Sequence, residues 1–258
     1  MFIPLHDANN LKHIRAQYVT LALIGANVAV YLLVNLNLLA GAYEAAVVSF
    51  GYIPAVVNDF AELPPTRAVI PEELSLVSYA FLHGDFMHLA SNMLFLWVFG
   101  DNVEDALGHL RYLVFYLACA VAGALAHGLL VPDSTAPLIG ASGAISGIIG
   151  AYLMLHPKVR IWVLAFGRIP LRLPAAIPLV AWIGYQLAAV LLMPEDTVSW
   201  AAHVGGFAAG VVLVLVMRRR GVPLFDRAIV LPKAAELTQG RPDPGGDRDR
   251  DAMPWGRG

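Results

Sequence analysis

Long apolar stretches without a charged side chain are the feature of this sequence that most constrains its fold. Residues 18–40, for example, contain no Asp, Glu, Lys, Arg or His. A bilayer core about 30 Å thick is crossed by a helix of roughly 20 apolar residues, so this stretch is long enough to span a membrane. Only 14% of the 258 residues are charged and the mean hydropathy is +0.65, whereas soluble domains carry about 25% charged residues. The chain is therefore predicted to be a polytopic membrane protein.

The fold class predicted from these stretches is all-α, a bundle of six transmembrane helices. The predicted helices cover about 18–40, 87–107, 111–131, 142–156, 174–193 and 197–217. The fourth begins in the glycine-rich stretch "LIGASGAISGIIG" and stops before Pro157. These six segments place residues 18–217 in one membrane domain, with a long external loop at 41–86.

The loop charges predict the orientation of the bundle. Basic residues cluster before the first helix, between the fourth and fifth, and after the sixth: Lys12, Arg15, Lys158, Arg160, Arg168, Arg172 and Arg218–Arg220. Loops rich in Lys and Arg face the cytoplasm, so both termini are predicted to be cytoplasmic. The loop between the second and third helices is an exception, because Asp101, Glu104 and Asp105 are opposed there by Arg111 alone.

Residues outside the membrane domain are predicted to differ in character. Residues 1–17 form a polar cytoplasmic segment without a cleavable signal pattern. Residues 218–258 are rich in Pro, Gly and charge, and are predicted to be a disordered cytoplasmic tail. The prolines and aromatic residues of the loop at 41–86 favour a structured piece at the membrane interface. The loop charges and the absence of an Arg/Ser-rich presequence favour a bacterial cytoplasmic membrane.

Four polar residues are predicted at membrane depth, where such side chains are costly and mark functional sites. His88 and Asn92 lie in the first turns of the second helix, Ser142 opens the fourth, and His203 lies about two turns into the sixth. All three helices run from the outer face inward in the predicted topology. The four residues therefore belong to one layer near the outer side.

The fourth helix is also too short to cross the membrane. From Ser142 to Leu155 it would extend about 21 Å, against a core of about 30 Å. Its non-helical start at that depth is tolerated only against protein or a water-filled cavity. Gly140 permits the turn, and the glycines of the fourth and sixth helices permit their close approach. Ser142 is thus predicted at the floor of an aqueous pocket.

These groups can support serine-type peptide hydrolysis. A serine hydroxyl needs an adjacent base to become a nucleophile, and His203 is the candidate base for Ser142. His88 and Asn92 are spaced i, i+4, so both can donate to an oxyanion from one helix face. The backbone N–H of Ser142 adds a donor, and Gly140 is assigned to the same oxyanion site. With no carboxylate in the layer, a Ser–His dyad is predicted.

The motifs that carry these residues resemble those of the rhomboid family of intramembrane serine proteases. The matching stretches are "HLASN", "FGDNVEDALG", "GASG" and "AHVGG", in family order across about residues 80–210. The resemblance implies a six-helix rhomboid core with Ser142 as nucleophile, His203 as base, and His88 and Asn92 as oxyanion donors. It also implies cleavage of single-span membrane proteins near their outer end, and a structural role for Glu104. Some members carry a tyrosine four residues after the nucleophile, where this chain has Ser146.

Two other functions fit parts of the pattern. A non-catalytic rhomboid-like protein would bind transmembrane segments, although such proteins typically lack the serine or the base. A channel or transporter would use the polar layer for permeation, but no repeated halves are apparent. No metal or cofactor is expected, and a net charge of −2 gives no reason to expect nucleic acid. His127 and His156 are predicted to be structural, and His83 either caps the loop or joins the site.

Overall fold

A computed structural model describes residues 2–35, 41–193 and 199–225. Its main helices confirm the helical bundle. They are α1 (Tyr18–Asn35), α5 (Phe86–Leu107), α6 (His109–Leu130), α7 (Ser142–Leu155), α8 (Ala176–Leu192) and α9 (Trp200–Met217). Shorter helices precede α5: α2 (Ala42–Phe50), α3 (Pro54–Val57) and α4 (Ser75–Ser78), with 3₁₀ turns at Glu72–Leu74 and Tyr79–Phe81.

Each of the six predicted transmembrane segments overlaps one of the main helices, although α5 and α6 begin one and two residues before their predicted starts. The predicted stretches 36–40 and 197–198 lie outside the described residues. By length and apolarity α1, α6 and α9 could each cross a membrane, whereas α7 and α8 are shorter. Helix α5 is long enough but carries acidic residues in its last two turns. That all six helices span the bilayer therefore stays a prediction.

The structure also contains a small β-sheet, which the sequence analysis did not predict. Strands β1 (Phe2–Asp7), β2 (Arg160–Ala165) and β3 (Ile169–Pro174) pair antiparallel in that order. In β2, Ile161 and Val163 are buried while Arg160 and Trp162 are exposed, an alternation with the period of a half-buried strand. The polar N-terminal segment of residues 1–17 thus contains a strand that pairs with the connection between α7 and α8.

Glu104 and Asp105, two of the acidic residues that did not fit the predicted loop charges, bind the N-terminal segment. The Glu104 carboxylate is fully buried and accepts hydrogen bonds from the backbone N–H groups of Val19 and Thr20, at 3.0 and 2.8 Å. Asp105 accepts from the backbone N–H groups of residues 12–14. Glu104 thus satisfies amides in the first turn of α1 that have no partner within the helix, and Asp105 binds the segment that precedes α1. Their role is structural, as the resemblance implied for Glu104.

Helix α7 is the most buried of the main helices and packs against α5, α6 and α9. Its contact with α9 is made backbone to backbone. A Cβ atom at Gly206 or Gly210 of α9 would collide with the carbonyl groups of Gly143 or Gly147 of α7. The predicted close approach of these two helices is therefore present, and it brings the start of α7 beside the first turns of α9.

Residues 218–225, the first part of the predicted tail, contact the bundle. The Arg219 N–H donates to the Ala106 carbonyl at 2.9 Å, and the Phe225 N–H donates to that of Met154 at 2.8 Å. The rest of the tail, whose disorder the sequence predicts, lies outside the described residues.

Candidate active site

Ser142 and His203 meet at the junction of α7 and α9. The Ser142 Oγ lies 2.8 Å from His203 Nε2, which is hydrogen-bonding distance. Ser142 is the first residue of α7, and His203 lies one turn into α9, whose N-terminus is capped by the Ser199 side chain. Both side chains are partly buried. The geometry is that of a hydroxyl whose proton can pass to an imidazole.

The other ring nitrogen of His203 also has a partner. His203 Nδ1 lies 2.8 Å from Oε1 of Gln186, a residue of α8 that is 3% exposed. The rings of Trp182 and Trp200 flank the same imidazole, with centroids at 6.0 and 6.1 Å. The imidazole is thus held through both nitrogens and between two indoles.

Ser146 stands where some relatives have a tyrosine, and it does not contact the base. Its hydroxyl donates to the Ser142 carbonyl one turn earlier, at 2.6 Å. Ring support for His203 comes instead from α8 and α9 through Trp182 and Trp200. The missing tyrosine is thereby replaced by contacts from different helices.

Asn92 and His88 extend the site along α5. The Asn92 side chain is buried, and its amide nitrogen makes no hydrogen bond within the described parts of the chain. A buried amide N–H₂ normally has an acceptor, so this donor is free for a ligand. His88 is placed by the α5 N-cap, because its N–H donates to the Asp85 carboxylate at 2.9 Å. The N–H of Ser142 begins a helix and has no intrahelical acceptor.

Gly140 has a different role from the predicted one. Its N–H donates to the Tyr79 carbonyl at 3.0 Å, so this amide is not available to an oxyanion and the assignment of Gly140 as a donor was wrong. The residue instead makes room for the site. Its φ is +119°, and an added Cβ would lie 2.6 Å from His88 Nε2 and 3.8 Å from Ser142 Oγ. His88 and Ser142 therefore border the same small space.

His83, at the end of the predicted external loop, packs against His88. It is 1% exposed, and the two rings meet edge to face with centroids 5.0 Å apart. Burial, followed by the proximity of His88, lowers the pKa of His83 to about 4. A neutral His83 thus packs against the His88 ring.

A second serine–histidine contact lies between α6 and α9. Ser199 Oγ is 2.8 Å from His127 Nδ1, where the end of α6 meets the start of α9. Ser199 also caps α9 by accepting from the Ala202 N–H at 3.3 Å. This contact ties two helix ends together, which agrees with the structural role predicted for His127. His156 follows the far end of α7 and packs against Tyr152, with ring centroids at 5.4 Å.

Gln186, Trp182 and Trp200 are the site residues that the sequence analysis missed. Gln186 is an uncharged polar side chain within an apolar stretch, which is itself a signal at membrane depth. Trp182 lies four residues earlier and so shares its helix face. The sequence analysis missed these contacts, because it considered only Asp and Glu as residues that orient His203 and, with neither in the layer, predicted a dyad.

The structure is a helical bundle with apolar spans, in which a serine at the start of a short buried helix contacts a histidine of another helix. These features define a class of polytopic membrane proteins. The family model of the Rhomboid domain matches residues 71–220, more than half of the chain. The matched region contains Ser142, His203, His88 and Asn92. The chain therefore belongs to the rhomboid family and is an integral membrane protein.

Individual relatives agree with this family. Rhomboid protein 1, mitochondrial, of Saccharomyces cerevisiae is 32% identical over 152 residues, which cover 55% of this chain and 41% of the yeast protein. RHOMBOID-like protein 5 of Arabidopsis thaliana is 32% identical over 58% of this chain and 45% of its own length. Rhomboid-related protein 3 of Homo sapiens is 28% identical over 67% and 43%. The matched region thus spans less than half the length of these relatives.

Proposed function

We propose that this protein is an intramembrane serine endopeptidase with a Ser142–His203 dyad. The observation that carries the proposal is the 2.8 Å contact between Ser142 Oγ and His203 Nε2 at the head of a short buried helix. Membership of the rhomboid family supports the chemistry but does not by itself establish it. The presence of both partners in bonding contact favours catalysis over a role confined to binding.

The reaction follows from the positions of the groups. Ser142 Oγ attacks the scissile carbonyl as His203 Nε2 accepts its proton, and the carbonyl oxygen becomes an oxyanion. Asn92, His88 and the Ser142 N–H are the candidate donors to this oxyanion. His203 then protonates the departing amine, leaving an acyl group on Ser142. Attack of water, with His203 again as base, releases the second product.

The proposed substrates are single-span membrane proteins, cut near the outer face of the bilayer. The short α7 supports this depth, because Ser142 at its start would lie below the outer surface if its other end reaches the cytoplasmic side. Cytoplasmic termini and a bacterial cytoplasmic membrane belong to the same proposal and rest on the loop charges. Some relatives are named as mitochondrial, so the choice of membrane needs its own localisation experiment.

Cleavage in a defined bilayer tests the proposal. Purified protein in liposomes should cut a model single-span substrate, whereas Ser142→Ala and His203→Ala should not. Ser199→Ala serves as the matched control, because it removes the hydroxyl of the other serine–histidine contact. Cleavage that persists in Ser142→Ala, or is lost only in Ser199→Ala, would refute the assignment. Wild-type protein that binds the substrate without cutting it would favour a non-catalytic rhomboid-like protein.

A further inference from the structure

We propose that Gln186 is a positioning residue that fixes the tautomer and orientation of His203. This inference rests on the proposed function and extends the dyad by a neutral third member. Three features carry it: the 2.8 Å contact from Oε1 to His203 Nδ1, the burial of Gln186, and its place on α8, which contributes neither Ser142 nor His203.

The tautomer of His203 decides whether it can act as a base toward Ser142. A neutral imidazole carries one proton, so one ring nitrogen donates and the other accepts. The amide oxygen of Gln186 can only accept, so the proton belongs on Nδ1. The lone pair then lies on Nε2, which faces Ser142 Oγ at 2.8 Å. The opposite tautomer would set the Nδ1 lone pair against Oε1 and leave Nε2 unable to accept the serine proton.

A neutral acceptor suits this location better than a carboxylate. Gln186 is 3% exposed and belongs to an apolar helix, and a lone buried carboxylate there would carry a large desolvation penalty. An amide oxygen orients the ring without that penalty. An amide oxygen also stabilises the imidazolium form of His203 less than a negative charge would. Gln186 therefore orients the ring but contributes little to stabilising its positive charge.

The fold fixes the position of Gln186 relative to the imidazole ring of His203. Trp182 lies one turn before Gln186 on α8 and flanks His203 at 6.0 Å. Trp200 closes the other side from α9, and Tyr185 of α8 packs against Trp200 at 5.5 Å. Helix α8 therefore supplies a hydrogen-bond acceptor and a ring contact to the same imidazole. The two contacts fix its tilt and its protonated nitrogen together.

The test replaces the acceptor while keeping the size of the side chain. Gln186→Met removes the amide oxygen, and Leu187→Met makes a matched change at the next, half-exposed position of α8. Since Gln186 acts through His203, kcat for a single-span substrate in liposomes should fall on the order of 10²-fold in Gln186→Met, with KM unchanged. Gln186→Glu keeps an acceptor oxygen and should recover most of the lost kcat, although the desolvation of its carboxyl group should lower the unfolding temperature. Leu187→Met should behave as wild type.

A spectroscopic measurement separates positioning from general damage. Nitrogen-15 NMR of histidine-labelled protein in detergent, with His203→Ala to assign the signal, should give wild-type His203 a single tautomer protonated on Nδ1. Gln186→Met should give a mixture. A wild-type proton on Nε2, or a Gln186→Met protein with an unchanged tautomer and unchanged kcat, would overturn the inference. Absence of Ser142-dependent cleavage by the wild type would instead defeat the proposed function.

Discussion

In the proposed mechanism, Asn92 is a donor to the oxyanion. Asn92 is buried with an amide nitrogen that makes no hydrogen bond within the described residues, which normally carries a cost in free energy. A donor fixed in advance lowers the barrier most when its acceptor gains charge in the transition state. The unpaired donor at Asn92 therefore supports its proposed role at the oxyanion.

Asn92→Ala should lower kcat by about 10²-fold or more without destabilising the protein, because it removes an oxyanion donor that has no partner in the described structure. Cleavage kinetics in liposomes together with thermal unfolding in detergent measure both quantities. Ser91→Ala, at the adjacent exposed position, is the control. An unchanged kcat for Asn92→Ala would confine the residue to packing.

Gly140→Ala should disturb the site through geometry alone. The new Cβ would lie 2.6 Å from His88 Nε2, on a backbone whose φ of +119° disfavours any residue with a side chain. A displacement of catalytic groups by about 1 Å can cost 10²-fold in rate, so a loss of that order is expected. The same kinetic assay measures it. Near-normal cleavage would mean that His88 is not held at this contact for catalysis.

At the scale of helices, the sequence predicts most of what matters for the site. Ser142 at the start of a 14-residue helix and the glycine contacts between α7 and α9 followed from apolar length and small residues. The role of α8 did not, because its contribution depends on which face of the helix turns toward His203, and Gln186 is an isolated uncharged polar residue within an apolar sequence. The strands were missed because β1 and β3 each contain prolines, which mask the strand pattern.

The contact between α7 and α9 makes a clear prediction about stability. Gly206→Ala places a methyl group against the Gly143 carbonyl, and backbone cannot yield as a flexible side chain would. Overpacking of this kind costs about 1–3 kcal/mol, so the unfolding temperature should fall and Ser142 should separate from His203. Gly184→Ala on α8 is the matched control, because its Cβ would meet nothing within 4 Å. Equal stability of the two variants would contradict the close backbone packing.

At the scale of the whole molecule, the N-terminal strand is tied to the helix that carries Ser142. The Asp7 carboxylate at the end of β1 accepts hydrogen bonds from Tyr152 of α7 and Asn102 of α5, both at 2.8 Å. No motif in the sequence predicts this contact. It joins residues separated by more than 90 positions in the sequence.

Asp7 should make the stability of the protein depend on pH. Burial raises the pKa of this carboxyl from 3.8 to about 6. The hydrogen bond from Tyr152 and the attraction of His6 lower the pKa and offset part of this effect. Between those values the folded protein holds a proton that the unfolded chain has lost, so stability falls as pH rises through about 6. Asp7→Asn should remove a fall on the order of 2–3 kcal/mol. Thermal unfolding at pH 4.5 and 7 measures it, with the exposed Asp59→Asn as control, and an unaltered pH dependence in Asp7→Asn would contradict the assignment.

The central claim, that His203 activates Ser142, is tested most directly by covalent labelling with a serine-reactive fluorophosphonate followed by peptide mass spectrometry. The molecule contains its own comparison, because Ser199 also lies 2.8 Å from a histidine. We expect a mass shift on the peptide containing Ser142, lost in His203→Ala, and none on the peptide containing Ser199. Labelling of Ser199 instead, or equal labelling of Ser142 in wild type and His203→Ala, would contradict it.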